Sequence, residues 1–430
     1  MIYKNNIFSF FLVNAFIGAF CYKFPFLSNL LCIYNLFIGI GYAISKNVPK
    51  AIYRLIFIST FGIIMRVLKV AIFYEFDKYA VIILSSLILI NSSEIIISSS
   101  KRYIMFLLLL VPGMIICGFD YNYMSLYISG PTALAFSALL FSGLKSSTLD
   151  LKKLFYSSLS PMIMFSIIIL IHLVFNLDNL IIRNTTVENK VTSGGFGPNQ
   201  VSTILGFGMI TCIVLFSLSK NINSRVMLSL FWILLTIQAG ISYSRGGLYG
   251  GLIGTIIIGI FSFNKRLLTV IIILSLMLFG SIKLVFSKQD LFSDQQSQAI
   301  FDRVTLFTTT GRVKVIFEDI NTFLNNPFLG VGVGGSTEYH IKDDFGGNVG
   351  SHTFFTRLWA EHGFLGIICT LILMTTTLRV LYYNGSNEIR AILFSLIVWS
   401  NFTMGHNDLR LGLPAVIFSL CEYISKKKYL

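Results

Sequence analysis

The sequence predicts an all-α polytopic membrane protein, and three observations predict it. The 430 residues are 55% hydrophobic and only 12% charged, about half the charge density of a soluble globular chain. The apolar residues fall in long continuous runs, each close to the ~20 needed for a helix to cross a ~30 Å hydrocarbon core. A membrane β-barrel would show short segments of alternating polarity instead. The basic residues behind the net charge of +14 sit in short clusters between these runs. That is the positive-inside pattern of cytoplasmic loops, not a nucleic-acid-binding patch. A single integral membrane domain over 1–430 is expected, with about twelve to fourteen transmembrane helices.

The runs begin at 7–21, a short Phe-rich segment expected to stay as a helix and not to be cleaved as a signal peptide. Lys46 and Lys50 separate 26–45 from 52–74, and Glu75 and Asp77 precede 79–98. Lys101 and Arg102 open 103–118, Asp120 precedes 124–143, and Lys145, Lys152 and Lys153 precede 155–177. Asp178 and Glu188 lie in the polar stretch before 200–219. Lys220 and Arg225 lead into 226–243 and 246–263, which read as two short helices or a broken hairpin. Lys265 and Arg266 precede 267–286, and the loop 287–354 leads to 355–378, 389–404 and 411–425. Arg379 and the tail Lys426-Lys427-Lys428 complete the basic set. Basic and acidic loops alternate, so both termini are expected in the cytoplasm. The six cysteines are scattered through apolar runs with no CxxC pair and read as buried apolar residues.

This orientation gathers four polar features on the non-cytoplasmic side. They are Ser193-Gly194-Gly195-Phe196-Gly197-Pro198-Asn199-Gln200, Ser244-Arg245-Gly246-Gly247, the loop 287–354, and Gly405-His406-Asn407-Asp408-Leu409-Arg410. Arg245 reads either as an arginine snorkelling at the interface or as an anion clamp, whose planar fork of donors suits a phosphate. The adjacent glycines would admit a large ligand close to the backbone. Arg312 opens an amphipathic segment with Val315, Ile316, Phe317, Ile320 and Phe323 apolar, expected to lie on the membrane surface. It reads either as a second anion ligand or as an ordinary partner of Glu318 or Asp319. Asn326 to Gly335, dense in Gly and Pro, reads as a tight turn packing near the membrane or a lipid, not as an ATP-binding loop. His352 stands where the long loop enters the next apolar run, either capping it or serving as a base with an ordinary pKa of ~6.5. His362 lies deeper and reads as packing; His340 and His172 have weaker cases. His406 and Arg410 form a second polar layer. No HExxH occurs, and Asp343-Asp344 reads as a solvated turn, so no metal site is expected.

Ser-Arg-Gly-Gly at 244–247, Thr-Gly-Arg at 310–312, Asn-Pro-Phe-Leu-Gly-Val-Gly at 326–332 and Ser-His-Thr-Phe-Phe from 351 occur in order. With Leu-Trp-Ala-Glu-His-Gly-Phe-Leu-Gly at 358–366 they resemble the O-antigen ligase and O-antigen polymerase superfamily over roughly 190–410. The resemblance implies a membrane glycosyltransferase of the bacterial inner membrane, active on the periplasmic face. Its donor is a polyprenyl-diphosphate-linked oligosaccharide, and its acceptor is a lipid-linked repeat unit (polymerase) or lipid A-core (ligase). On the matching motifs Arg245 and Arg312 would hold the diphosphate and His352 would act as general base, with no metal or other cofactor. His406, Arg410 and Asn199 are expected around them. Thr353 stands where many relatives carry Asn. Membrane lipids and a chain-length regulator protein are further expected partners, and nucleic acid is not. Polymerase is the first reading and ligase the second. A flippase or other transporter would be expected to show broken helices and paired repeats near mid-membrane.

Overall fold

Polar residues, more than the apolar runs, mark where the helices start. In a computed structural model of the protein, residues 7–70, 74–92, 95, 100–145, 149–176, 191–242, 244–261, 310–340 and 350–426 are described. The helices are α1 (Ile7–Lys23), α2 (Phe26–Ile44), α3 (Val48–Val67), α4 (Phe76–Asn91) and α5 (Lys101–Ile116). α6 (Tyr121–Gly143) contains a π-helical turn at Met124–Ile128. Then come α7 (Leu151–Phe175), α8 (Pro198–Leu218), α9 (Ile222–Ile241) and α10 (Arg245–Phe261). α11 (Thr310–Asn325), α12 (Phe354–Leu381), α13 (Asn387–Asn407) and α14 (Gly412–Lys426) complete the order. Among the described residues no sheet forms, and one isolated bridge joins Ile95 and Leu144. The expected run 267–286 and residues 287–309 and 341–349 of the loop 287–354 lie outside the described residues.

Several helices start about a turn before the apolar pattern does, because their first turns are polar. Asp150 caps α7 by accepting from the Lys153 N–H at 3.2 Å, and Asn221 caps α9 by accepting from the Asn223 N–H at 2.9 Å. Pro198 opens α8, where its missing N–H costs no helical bond. Two expected ends prove too long. α3 stops at Val67 and not near 74, with Lys69 in the left-handed region at φ 56°. α4 stops at Asn91 and not near 98, its cap Ser92 already extended. The 226–263 stretch resolves into two helices, α9 and α10.

Among the described residues, seven helices are long and apolar enough to span a bilayer: α2, α3, α6, α7, α8, α9 and α12. α1 and α10 are shorter apolar helices. Buried polar groups meet across helices. Ser166 of α7 donates to Gln238 Oε1 of α9 at 2.8 Å, and the Gln238 amide donates back to the Ser166 carbonyl at 2.9 Å. Ser160 similarly bonds Asn14 of α1 at 2.5 Å. Such bonds and close backbone packing do here what burial from water does in a soluble core. The closest seam is α8 on α10. A Cβ added at Gly247 would lie 2.0 Å from the Ser202 carbonyl carbon, and one at Gly206 would lie 2.2 Å from the Gly247 oxygen.

The bundle has two chemically distinct ends. At ~1.5 Å per residue, α3 places Arg66 about 25 Å from Lys50. At the Lys50 end, Glu422 accepts from Arg102, from Arg379 at 2.9 Å and from Thr376 at 2.8 Å, and Lys426 donates to the Ser142 carbonyl. Arg102, Arg379 and Lys426 are the residues that the charge pattern assigned to one side. The other end carries Arg66, Arg245, His352 and Asp408.

Replacing Gly247 by Leu should wedge α8 from α10 and cost about 1–3 kcal/mol or more. Gly240→Ala, whose Cβ meets nothing within 4 Å, should be neutral or stabilising. Thermal unfolding of the detergent-purified variants checks both.

Candidate active site

The end of α13 gathers the polar features that the sequence placed on one side. Asn407 closes the helix and Asp408 turns the chain at φ 55°, ψ −165°, a conformation nearly confined to glycine that the surrounding contacts must hold. The Asp408 N–H donates to the His352 carbonyl at 3.0 Å. Its Oδ2 pairs with Arg357 Nη1 at 3.2 Å, and Arg357 Nη2 donates to the Tyr127 carbonyl at 3.1 Å. The Thr353 hydroxyl donates to the Gly405 carbonyl at 3.1 Å, and Arg410 Nη2 donates to the Ser351 carbonyl at 3.3 Å. Residues 351–353, with His352 half-buried among them, are thus stitched to 405–410.

Arg245 arrives at the same corner. It is the first residue of α10 and is half-buried. A Cβ on Gly246 would fall 1.8 Å from His406 Nε2, so α10 reaches α13 only because that position is bare. On the other side, the Ser244 hydroxyl donates to Asn199 Oδ1 at 2.9 Å and accepts from Ser202 Oγ at 2.8 Å. This corrects the expected use of the glycines: Gly246 receives His406 and Gly247 receives Ser202, and neither opens to a ligand. His406 and Asn199 touch the residues flanking Arg245, and Arg410 touches the residue before His352.

Arg312 lies in the first turn of α11, and its side chain is outside the described residues. Farther along α11, Asp319 accepts from His340 Nε2 at 2.8 Å, Ser351 Oγ at 2.5 Å and Thr356 Oγ1 at 2.8 Å. The helix is turned differently from its apolar pattern. Val315, Asp319 and Thr322 are buried, whereas Val313, Phe317 and Leu324 are exposed. The expected single apolar face is therefore split, with Val315 inward and Phe317 outward.

The Gly-rich stretch after α11 packs on protein, not chiefly on lipid. Gly363 leaves helical geometry inside α12 at φ 59°, ψ −137°. The groups this frees are taken up by the loop: Val331 N–H donates to Ala360 O at 3.0 Å, Gly332 N–H to Glu361 O at 3.0 Å, and Phe364 N–H to Pro327 O at 2.7 Å. Unsatisfied backbone is not tolerated at membrane depth, so the break and the loop require each other. Gly330 has φ 70°, and a Cβ there would lie 2.4 Å from the Glu361 carbonyl carbon. His362, buried beside this break, presses on Gly113, in keeping with a packing role.

A buried ionic network supports the corner from α3 and α4. Arg66 donates to the Arg410 carbonyl at 2.8 Å and to Gln200 Oε1 at 2.9 Å, and pairs with Asp77 at 2.6 Å and Glu75 at 3.2 Å. Lys78 pairs with Glu75 at 2.6 Å, and Asp77 Oδ2 accepts from the Gly412 N–H at 2.7 Å. Glu75 and Asp77 read as loop charges in the sequence; they are buried counter-ions. Sequence reasoning missed this network, the Arg357–Asp408 pair and the partners of Asp319. A lone arginine inside an apolar run, as at Arg66 and Arg357, is the signal that could have raised the first two.

A family model described as O-Antigen ligase matches residues 229–371. Over residues 229–371 the chain is similar to the O-antigen ligase family. The match runs from α9 into α12 and includes Arg245, Arg312 and His352, while Asn199, His406 and Arg410 lie outside it. No curated protein matches the chain.

Asp408→Asn leaves a buried guanidinium without its counter-charge and should cost about 3–5 kcal/mol. Adding Arg357→Met should recover much of that loss. A double-mutant cycle on unfolding free energies checks the coupling.

Proposed function

We propose that this protein belongs to the O-antigen ligase and polymerase superfamily and is a polymerase of O-antigen or a related surface polysaccharide. It transfers a glycan from a polyprenyl-diphosphate-linked donor to the hydroxyl of a lipid-linked repeat unit at the periplasmic face of the inner membrane. The observation that carries this reading is the shared corner: the start of α10 at Arg245 and the His352 segment are both seated on residues 405–410. Arg312 enters from α11, which is tied to the same segment through Asp319.

In the proposed reaction the acceptor oxygen attacks the anomeric carbon as the bond to the phosphate oxygen breaks. The acceptor proton passes to His352, and the electron pair leaves with the polyprenyl diphosphate. Negative charge grows on that leaving group, and Arg245 and Arg312 stabilise it in a low-dielectric site, so no divalent ion is called for. A single displacement of this kind inverts the anomeric centre. The positive-inside pattern supports the periplasmic placement, since Lys50, Arg102, Arg379 and Lys426 belong to the opposite end. A transporter reading draws on the break at Gly363. Protein groups close that break, which weighs against a substrate path there.

The ligase reading, with lipid A-core as acceptor, is favoured by the description of the matching family. The two share donor, clamp and base. Deleting a polymerase leaves single repeats on the core, whereas deleting a ligase leaves none.

His352→Ala should lower transfer from a purified lipid-linked donor by about 10²–10⁴-fold, the usual worth of a general base. Arg245→Ala and Arg312→Ala should each abolish it, and lysine at either position should restore only part, lacking the bidentate fork. All three variants should still insert and accumulate. Full activity in any one of them removes that residue's assigned role.

A further inference from the structure

The start of α12 does not hold itself in place. Thr353, its N-cap, makes no capping bond and turns its hydroxyl to Gly405 instead. The position of His352, one residue earlier, is therefore set by tertiary contacts. Some come from α13, as described above. The others converge on a single carboxylate from α11.

Asp319 is fully buried on the inner side of α11. A buried carboxylate is costly unless hydrogen-bonded, and this one accepts from three side chains. Two of the donors flank His352 in sequence: Ser351 immediately before it and Thr356 in the first turn after it. The third, His340, closes the far side. A carboxylate only accepts, so the His340 Nε2 bears the proton in this bond. The His340 side chain is as buried as Asp319 itself, so neither group meets a substrate. Both oxygens are engaged: Oδ1 by His340, and Oδ2 by Ser351 and Thr356. α11 is held independently by Val315, buried on its inner side, and by the edge-to-face pair of Phe323 with Phe364 at 5.8 Å. It provides a fixed post from which Asp319 can pin a short connecting segment.

We infer that Asp319 is a positioning residue for His352, gripping the segment on both flanks of the imidazole so that its ring is held in line with the acceptor hydroxyl. The inference rests on the reading that His352 takes the acceptor proton. Arg312 lies seven residues before Asp319 and by helical register on the same face of α11. Ser351, Thr356 and Asp319 act through backbone placement and make no contact with the reacting atoms.

The test uses the full chain in lipid nanodiscs with a polyprenyl-diphosphate-linked glycan. Asp319→Asn keeps the shape but replaces an acceptor oxygen with a donor. It should lower kcat by about 10–100-fold, as expected for a base displaced by an ångström or so. KM for the donor should stay within about threefold, because the Arg245 clamp is untouched. The unfolding midpoint should remain near that of the parent. Ser351→Ala and Thr356→Val each remove one donor and should each lower kcat roughly threefold to tenfold. A purely structural role would instead reduce kcat in proportion to the folded fraction, and that result would overturn the inference. So would an unchanged kcat in Asp319→Asn. If Asp319→Asn fails to fold, the single-donor variants decide, and unchanged kcat in both rejects the role. His352→Ala run alongside separates the two levels. Activity retained there removes the base reading and this inference together. Activity lost there but kept in Asp319→Asn removes this inference alone.

Discussion

Everything polar at one end of this bundle depends on the pairing of Asp408 with Arg357 and with the His352 backbone. Two opposite charges sit in an apolar interior at 3.2 Å, and the same residue's N–H holds the segment that carries His352. A buried ion pair of this kind adds little net stability, because desolvation consumes most of the attraction. What it adds is geometry. Once Asp408 is fixed, α13 must end where it does, His406 must lie on Gly246, and α10 must begin at Arg245 beside it. The Arg66 network acts in the same way on the far side by holding the Arg410 carbonyl. The corner is thus clamped from α3, α6, α10 and α12 at once.

A second constraint shapes the outer wall. α12 could have continued straight through Gly363, and its break leaves peptide groups that a bilayer cannot satisfy. The 326–335 loop returns three hydrogen bonds to that break and in doing so fixes the C-terminal side of α11. The loop, the break and the amphipathic helix form one unit. The glycines at 330 and 363 are what allow it, because both stand at positive φ against another backbone. This is why a motif that looks like a flexible connection is a seam between two parts of the chain.

Much of this was legible in the sequence, and the limits have a physical pattern. Runs of apolar residues locate helices because the bilayer imposes a length, so the order of spans matched to within a few residues at most ends. Charge alternation assigned Arg245, His352, His406 and Arg410 to one side, and the segments that carry them pack on residues 405–410. What stayed hidden was pairing between distant segments. Arg66 finds Gln200 and Arg410 across 134 and 344 residues, and no local pattern records that. Asp319 reads as an ordinary partner of Arg312 on an amphipathic helix, yet it is buried because its partners come from 340, 351 and 356. The glycines of 246–247 look like room for a ligand, whereas they make room for a histidine and a serine. Composition cannot distinguish space left for a substrate from space filled by the protein itself.

The orientation of α11 is the last link between fold and chemistry. A soluble surface helix turns apolar residues in and polar ones out. Here Asp319 and Thr322 face the protein while Val313, Phe317 and Leu324 face away. The exposed side also carries Lys314, Asn321 and Asn325, so it suits the boundary between hydrocarbon and water, while the inner side meets a polar interior. A lipid-linked diphosphate poses the same requirement, with an apolar tail that must remain in the bilayer and a charged head that must reach guanidinium groups. In the proposed reaction α11 stands at that boundary. A donor arriving from the membrane can then bring its diphosphate to the Arg312 and Arg245 side without withdrawing its tail from lipid. The cost of extracting a polyprenyl chain, at about 0.8 kcal/mol per CH₂, would otherwise exceed any binding the site could offer.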